Sequence, residues 1–228
     1  CWVFINKNQP KTILVIPGWS ILPHYFSTVF PQYNLLLLNP YYAQKNHFST
    51  NVINKCTELS TFSTQVIHIS TFDQLPIKFD HVFYLSLGFQ WALHHAPYIL
   101  EKPGTCWAPC ESFSSNDVQQ LSTSLLSNST KALTAFYKSC CPSLCHWKWW
   151  KTTMLPDHLN QNSTNHLIEW LTDLYSISFK CINFPKIQFM VDPNDPIGIK
   201  PQQTSKNIHY HSYGHLPAPN TLKLTITN

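Results

Sequence analysis

Charge is scarce in this chain: 15 Lys and Arg and 11 Asp and Glu stand among 228 residues. The few basic residues are mostly unclustered, so nucleic-acid binding is not expected. No apolar run approaches the length of about 18 residues that a membrane span needs. The tetrad Leu35–Leu38 is far too short for one and reads as a buried strand. The segment Cys1–Asn8 lacks a basic region followed by an apolar stretch and a small-residue cleavage site. It reads as a first strand and turn rather than a signal peptide, which places the chain in the cytoplasm as an expectation. The eight cysteines are then expected to be mostly reduced thiols, and the sequons at Asn128 and Asn162 carry no weight. Cys106, Cys110, Cys140, Cys141, Cys145 and His146 are dense enough to raise a zinc site, but no pair of CxxC knuckles is present, so no metal is expected. No cofactor, internal repeat or low-complexity linker is expected either.

What the chain has is hydrophobic content, 43% of residues, which argues against disorder and for one sizeable core in a single domain. The segment Val82-Phe83-Tyr84-Leu85-Ser86-Leu87-Gly88 reads as an apolar strand, a sharp turn at Ser86, and a helix beginning near Gln90–Leu93. That is the geometry of a nucleophile elbow, in which a strained turn lifts a hydroxyl out of the sheet. The usual pattern has glycine two residues before and two after the serine. Gly88 supplies the second, and Tyr84 stands in place of the first.

Two further segments carry chemistry. Ile187–Val191 is an apolar strand that delivers the acids Asp192 and Asp195 to a loop, and Tyr213-Gly214-His215 follows. Upstream, the strand Thr12–Ile16 ends in Pro17-Gly18-Trp19-Ser20. The order serine, acid, histidine along the chain is that of α/β-hydrolases.

The chain therefore resembles the α/β-hydrolases, and among them the pimeloyl-[acyl-carrier protein] methyl ester esterases of biotin synthesis. The resemblance rests on Leu14–Trp19, Leu85–Gly88, Trp107–Phe113, the helical stretch Leu121–Tyr137, His166–Leu174, and Gly214-His215. It implies Ser86 as nucleophile, His215 as base and Asp195 as the acid, preferred because the family spacing puts the acid before Pro-Ile; Asp192 is the rival. It also implies an oxyanion hole built from the backbone amides of Trp19 and Leu87. Pro17 stands where the family has histidine before the oxyanion-loop glycine. Leu222–Ile226 alternates like a strand or tail where the family closes with a helix.

The rhythm of elements gives the organisation. Strands are expected near 2–5, 12–16, 34–38, 65–69 and 81–85, in a mostly parallel sheet flanked by helices. From about 105 to 180 the apolar spacing turns helical, as in Leu121, Leu125, Leu126, Leu133, Phe136 and Tyr137. The expected division is a hydrolase core over 1–104 and 181–228 with an inserted helical cap over 105–180.

The expected reaction is cleavage of a carboxylic ester through an acyl-serine, with alcohol leaving first and water then freeing the acid. Trp19, Phe113, Phe136 and Trp147 are candidate substrate contacts. In Cys145–Lys151, aromatic residues interleave with Lys148 and Lys151, while Lys131 and Lys138 lie seven residues apart on one helix side. Such a basic cap face would suit an acidic acyl-carrier protein bearing the ester; a small-molecule ester is the other partner considered. The favoured substrate is pimeloyl-[acyl-carrier protein] methyl ester. The alternatives are a general short-acyl carboxylesterase or thioesterase, and a hydrolase-fold binding protein that has lost catalysis.

Overall fold

The computed structural model describes residues 2–5, 8–22, 24–38, 64–67, 78–161, 163–198, 200, 201 and 205–219. Among these residues eight strands, β1 (Trp2–Ile5), β2 (Thr12–Ile16), β3 (Asn34–Leu38), β4 (Thr64–Ile67), β5 (His81–Leu85), β6 (Gly104–Trp107), β7 (Ile187–Val191) and β8 (Ile208–Tyr210), form one sheet. Their order is β4-β1-β3-β2-β5-β6-β7-β8. β1 runs antiparallel to both β3 and β4, and every other neighbouring pair is parallel. The interior strands β3 and β5, on either side of β2, are buried at every residue, which is why they read as unbroken apolar runs rather than alternating ones.

The strand expected over 65–69 is seen as Thr64–Ile67, with residues 68 and 69 outside the described residues. The alternating segment Leu222–Ile226 also lies outside them. β8 was not legible beforehand: only three residues long, with one buried and two exposed, it carries almost no hydrophobic pattern.

Helices connect and cover these strands: α1 (Tyr25–Val29), α2 (Gly88–His95), α3 (Ser115–Cys140), α4 (Leu144–Thr153), α5 (Leu155–Gln161) and α6 (Thr164–Leu174). α3 to α6 all fall between β6 and β7, in the stretch where a helical cap was expected. The expected boundary at 104 and 105 falls inside β6, because Cys106 and Trp107 pair with β5 and β7 and extend the core sheet. The first helix of the insert begins only at Ser115, whose preceding neighbour Ser114 accepts a hydrogen bond from Asp117 N as an N-cap. α3 bends at Asn128, which leaves helical geometry and caps the second half by accepting from Lys131 N at 2.9 Å. α6 buries Leu167, Trp170, Leu171 and Leu174, one stripe at helical spacing, and packs against α3.

This topology fixes where a site can form. The chain leaves β2 toward β3 on one side and resumes with β5 on the other, so the loops after β2 and β5 diverge and open a crevice at the carboxyl ends of the strands. Among the described residues, no helix is long and apolar enough to cross a membrane.

Candidate active site

Ser86 is the first residue beyond β5, and its φ of 49° lies in the left-handed region that ordinary side chains avoid. The turn is held by Ser86 N donating to Trp107 O at 2.9 Å, which ties it to the end of β6, and by Phe89 N donating to Ser86 O at 3.0 Å. α2 then starts at Gly88, and it must start with glycine. A Cβ there would stand 2.6 Å from both Ile16 O and Pro17 O, the backbone at the end of β2. The elbow is therefore pressed against the strand that leads into Gly18 and Trp19.

β7 ends in the loop that carries both candidate acids, and the structure separates their roles. Asp195 Oδ2 lies 2.7 Å from His215 Nδ1, while its Oδ1 accepts from Ile197 N at 2.9 Å. Asp192 instead accepts from Asn194 N at 2.9 Å and from Gly214 N at 2.8 Å, so it shapes its own turn and holds the loop of His215. Burial acts to raise the Asp195 carboxyl, but His215, Lys200 and the Ile197 N–H outweigh it and hold its pKa at about 2. The carboxylate is thus charged beneath the imidazole and pairs with a protonated Nδ1, which leaves Nε2 as the acceptor nitrogen of the ring.

The loop of His215 is anchored from two directions. Trp107 Nε1 donates to Gly214 O at 3.2 Å, and the amides of His215 and Leu216 both donate to Cys140 O, at 3.2 Å each. The last carbonyls of a helix have no partner within it, so the C-terminal end of α3 offers an acceptor where the loop passes.

Ser86 and His215 meet in an apolar cavity of about 130 Å³. Its walls include Gly18, Trp19 and Ile21 after β2, Leu87 at the elbow, and Phe113, Leu121 and Phe136 around α3. The amides of Trp19 and Leu87, both on this wall, donate no hydrogen bond to the described residues. Trp19 is fixed by its indole, which donates to Leu167 O at 2.8 Å, and by an edge contact with Phe136 at 4.9 Å. Ser86 Oγ lies 3.9 Å from Cys110 Sγ, and a Ser86–His215 hydrogen bond is not made. Burial pushes the Cys110 thiol up to about 11, so it stands beside the serine as a neutral group.

Of the residues expected from the sequence, Ser86, His215, Trp19, Leu87, Phe113 and Phe136 line one cavity, with Asp195 directly behind His215. Trp147, Lys148 and Lys151 are not on its wall. They lie on α4, whose buried face is His146 and Trp150, and the two lysines are exposed. Leu121 and Leu171 reach the cavity although the sequence marked them only within helical stretches, and Val118, also on the wall, was not marked; periodicity gives a face but not what the face meets. Lys200, five residues beyond Asp195, was missed; its Nζ lies 3.0 Å from Asp195 Oδ2.

A strained serine at a strand–helix turn, an acid after a later strand and a histidine loop beyond it, on a mostly parallel sheet of this order, define the α/β-hydrolase fold. Solved structures agree: the chain is similar to BioG from Haemophilus influenzae at 15% identity, covering 94% of this chain and 93% of that one with a TM-score of 0.57. It is also similar to a hydrolase from Oleispira antarctica (10% identity, 93% and 87% covered, TM-score 0.58). An esterase from Exiguobacterium antarcticum gives 11% identity, 93% and 87% covered, and a TM-score of 0.56. No family model and no curated protein matches the chain.

Proposed function

We propose that this chain is a serine carboxylic-ester hydrolase whose substrate is the methyl ester of pimeloyl-[acyl-carrier protein]. The observation that carries the esterase reading is the convergence of Ser86, at its positive φ, and the Asp195–His215 pair on one apolar cavity. His215 Nε2 takes the proton of Ser86 Oγ as the oxygen attacks the ester carbonyl carbon. Asp195 stabilises the imidazolium that results, and the amides of Trp19 and Leu87 receive the oxyanion. The C–O bond to the alcohol then breaks with the proton returned from His215. Water, deprotonated by the same nitrogen, attacks the acyl carbon; the bond from that carbon to Ser86 Oγ breaks, the oxygen recovers its proton from His215, and the acid leaves. For this cycle Ser86 Oγ turns from Cys110 toward His215 when substrate binds, a tightening that unliganded sites commonly need.

The choice of substrate draws on the likeness to BioG and on the exposed lysines Lys148 and Lys151 of the cap, where an acidic carrier protein in the cytoplasm would dock. Phe113 and Phe136 then wall the acyl chain. The absence of both lysines from the cavity wall favours a second reading, a short-acyl carboxylesterase acting on small esters with no carrier.

Hydrolysis of methyl pimeloyl-[acyl-carrier protein] beside a short p-nitrophenyl ester, by wild type and Ser86→Ala, tests both. Cleavage of the carrier-bound ester by wild type alone supports the proposal. Ser86-dependent cleavage of only the small ester replaces the substrate, and no cleavage of either by wild type leaves a hydrolase-fold binding protein.

A further inference from the structure

The Asp195 carboxylate is shared. Its Oδ2 binds His215 Nδ1 at 2.7 Å and Lys200 Nζ at 3.0 Å, while Ile197 N occupies Oδ1. Lys200 also donates to Ile197 O and approaches Cys110 Sγ at 3.8 Å, so its ammonium is pinned inside the acid loop, with a side chain 16% exposed. A lysine held in this way pays for its lost freedom with three contacts, all of them within the site.

We propose that Lys200 is a positioning residue that tunes the base: its ammonium, bound to the same Asp195 oxygen as His215, reduces the pull of the carboxylate on the imidazolium and keeps His215 neutral to a lower pH. This deepens the esterase reading and rests on it for its catalytic consequence. The physical argument is Coulombic. A lone buried carboxylate at hydrogen-bond distance stabilises the protonated imidazole, and a second cation on the same oxygen, under about 6 Å from the ring nitrogen, opposes that protonation. Since a general base works only when neutral, the lysine extends activity toward acid pH.

The other groups around the pair do not supply this effect. Cys110 and Cys140 are buried thiols with pKa values pushed up, and so are neutral. Asp192 faces the His215 loop through Gly214 N, and its charge would act in the opposite direction from Lys200. Asp117 on α3 lines the cavity, and a carboxylate there would act in the same direction as Asp192. His211, after β8, stacks on Trp107 at 4.1 Å and is held neutral by burial, its pKa being lowered. Lys200 is therefore the cation among the described residues that contacts Asp195.

The test compares wild type, Lys200→Met and Lys200→Arg by two readouts. One is the NMR titration midpoint of His215 in the ligand-free protein, assigned by its loss in His215→Asn; the other is the acid limb of kcat/KM for a p-nitrophenyl ester. Lys200→Met should move both upward by about one pH unit, so that kcat/KM on the acid side falls about tenfold, while Lys200→Arg stays near wild type. An unmoved His215 midpoint in Lys200→Met overturns the proposal, as does an equal shift in both variants, which would mark a merely structural role. If wild type hydrolyses no ester, the esterase reading fails, and the NMR midpoints alone decide the role of Lys200.

Discussion

Tyr84 and Gly104 share one space on the sheet. Gly104 pairs with Val82 across β5 and β6, so it stands diagonal to Tyr84, and a Cβ at 104 would come 3.0 Å from Tyr84 Cε2. The glycine absent from position 84 of the elbow is thus matched by one on the neighbouring strand, which makes room for the buried Tyr84 ring and its hydroxyl bond to Ile99 O at 3.3 Å. Restoring the usual elbow glycine by Tyr84→Gly should cost about 4 kcal/mol in urea unfolding, because the core cannot close over the lost ring. Gly104→Ala should cost about 2 kcal/mol alone and less in the Tyr84→Gly background. Additive costs in that double-mutant cycle would dissolve the pairing.

Gly88→Ala strikes backbone on the other side. Its Cβ meets the carbonyls of Ile16 and Pro17, which cannot rotate away as a flexible side chain could. The substitution should push the elbow away from the end of β2 and lower both Tm and esterase rate. A variant with wild-type Tm and full activity would show that the elbow has slack the geometry denies.

The two acids should separate under mutation. Asp195→Asn removes the charge beneath His215 and should lower kcat about 10⁴-fold, as loss of the acid does in other serine triads. Asp192→Asn keeps an acceptor for only one of the two amides, Asn194 N on Oδ1 or Gly214 N on Oδ2, and turns an NH2 toward the other, so it should cost Tm measurably while lowering kcat by far less. Rate measurements on the two variants decide it, and the reverse ranking would transfer the acid role to Asp192.

Stability should fall on the acid side of neutrality. Burial lowers the pKa values of His81 and His146 to about 4, and that of His158 well below its ordinary value. Between about pH 6.5 and 4 the unfolded chain binds protons that the folded one refuses, so the stability present above about 6.5 is lost as pH falls through this window. His146 is the clearest probe, since neither ring nitrogen has a hydrogen-bond partner among the described residues. His146→Leu should raise Tm more at pH 5 than at pH 8. Equal gains at both pH values would detach His146 from the acid loss.

Much of this was legible from local pattern. The runs Thr12–Ile16, Leu35–Leu38 and Val82–Leu85 are apolar at nearly every position because both faces of a parallel sheet are covered, and the elbow announces itself because Gly88 has no room for a side chain. β8 is illegible in the sequence because a short, half-exposed strand buries too little to leave a pattern. Trp147, Lys148 and Lys151 were legible as a helix turn but not as lying off the cavity wall, since their composition carries no information about where α4 sits.

By itself the sequence determined the order of strand, serine, acid and histidine, because the serine and the acids each follow an apolar segment whose length and periodicity are local properties, and Gly214-His215 comes after both. Only the tertiary structure decided which acid faces His215, that Lys200 shares its oxygen, and that Gly104 makes room for Tyr84. Each of those depends on two segments distant in the chain, or on the direction taken by a loop, meeting within a few ångströms; hydrogen bonding and steric exclusion act at that range, and linear spacing does not encode it.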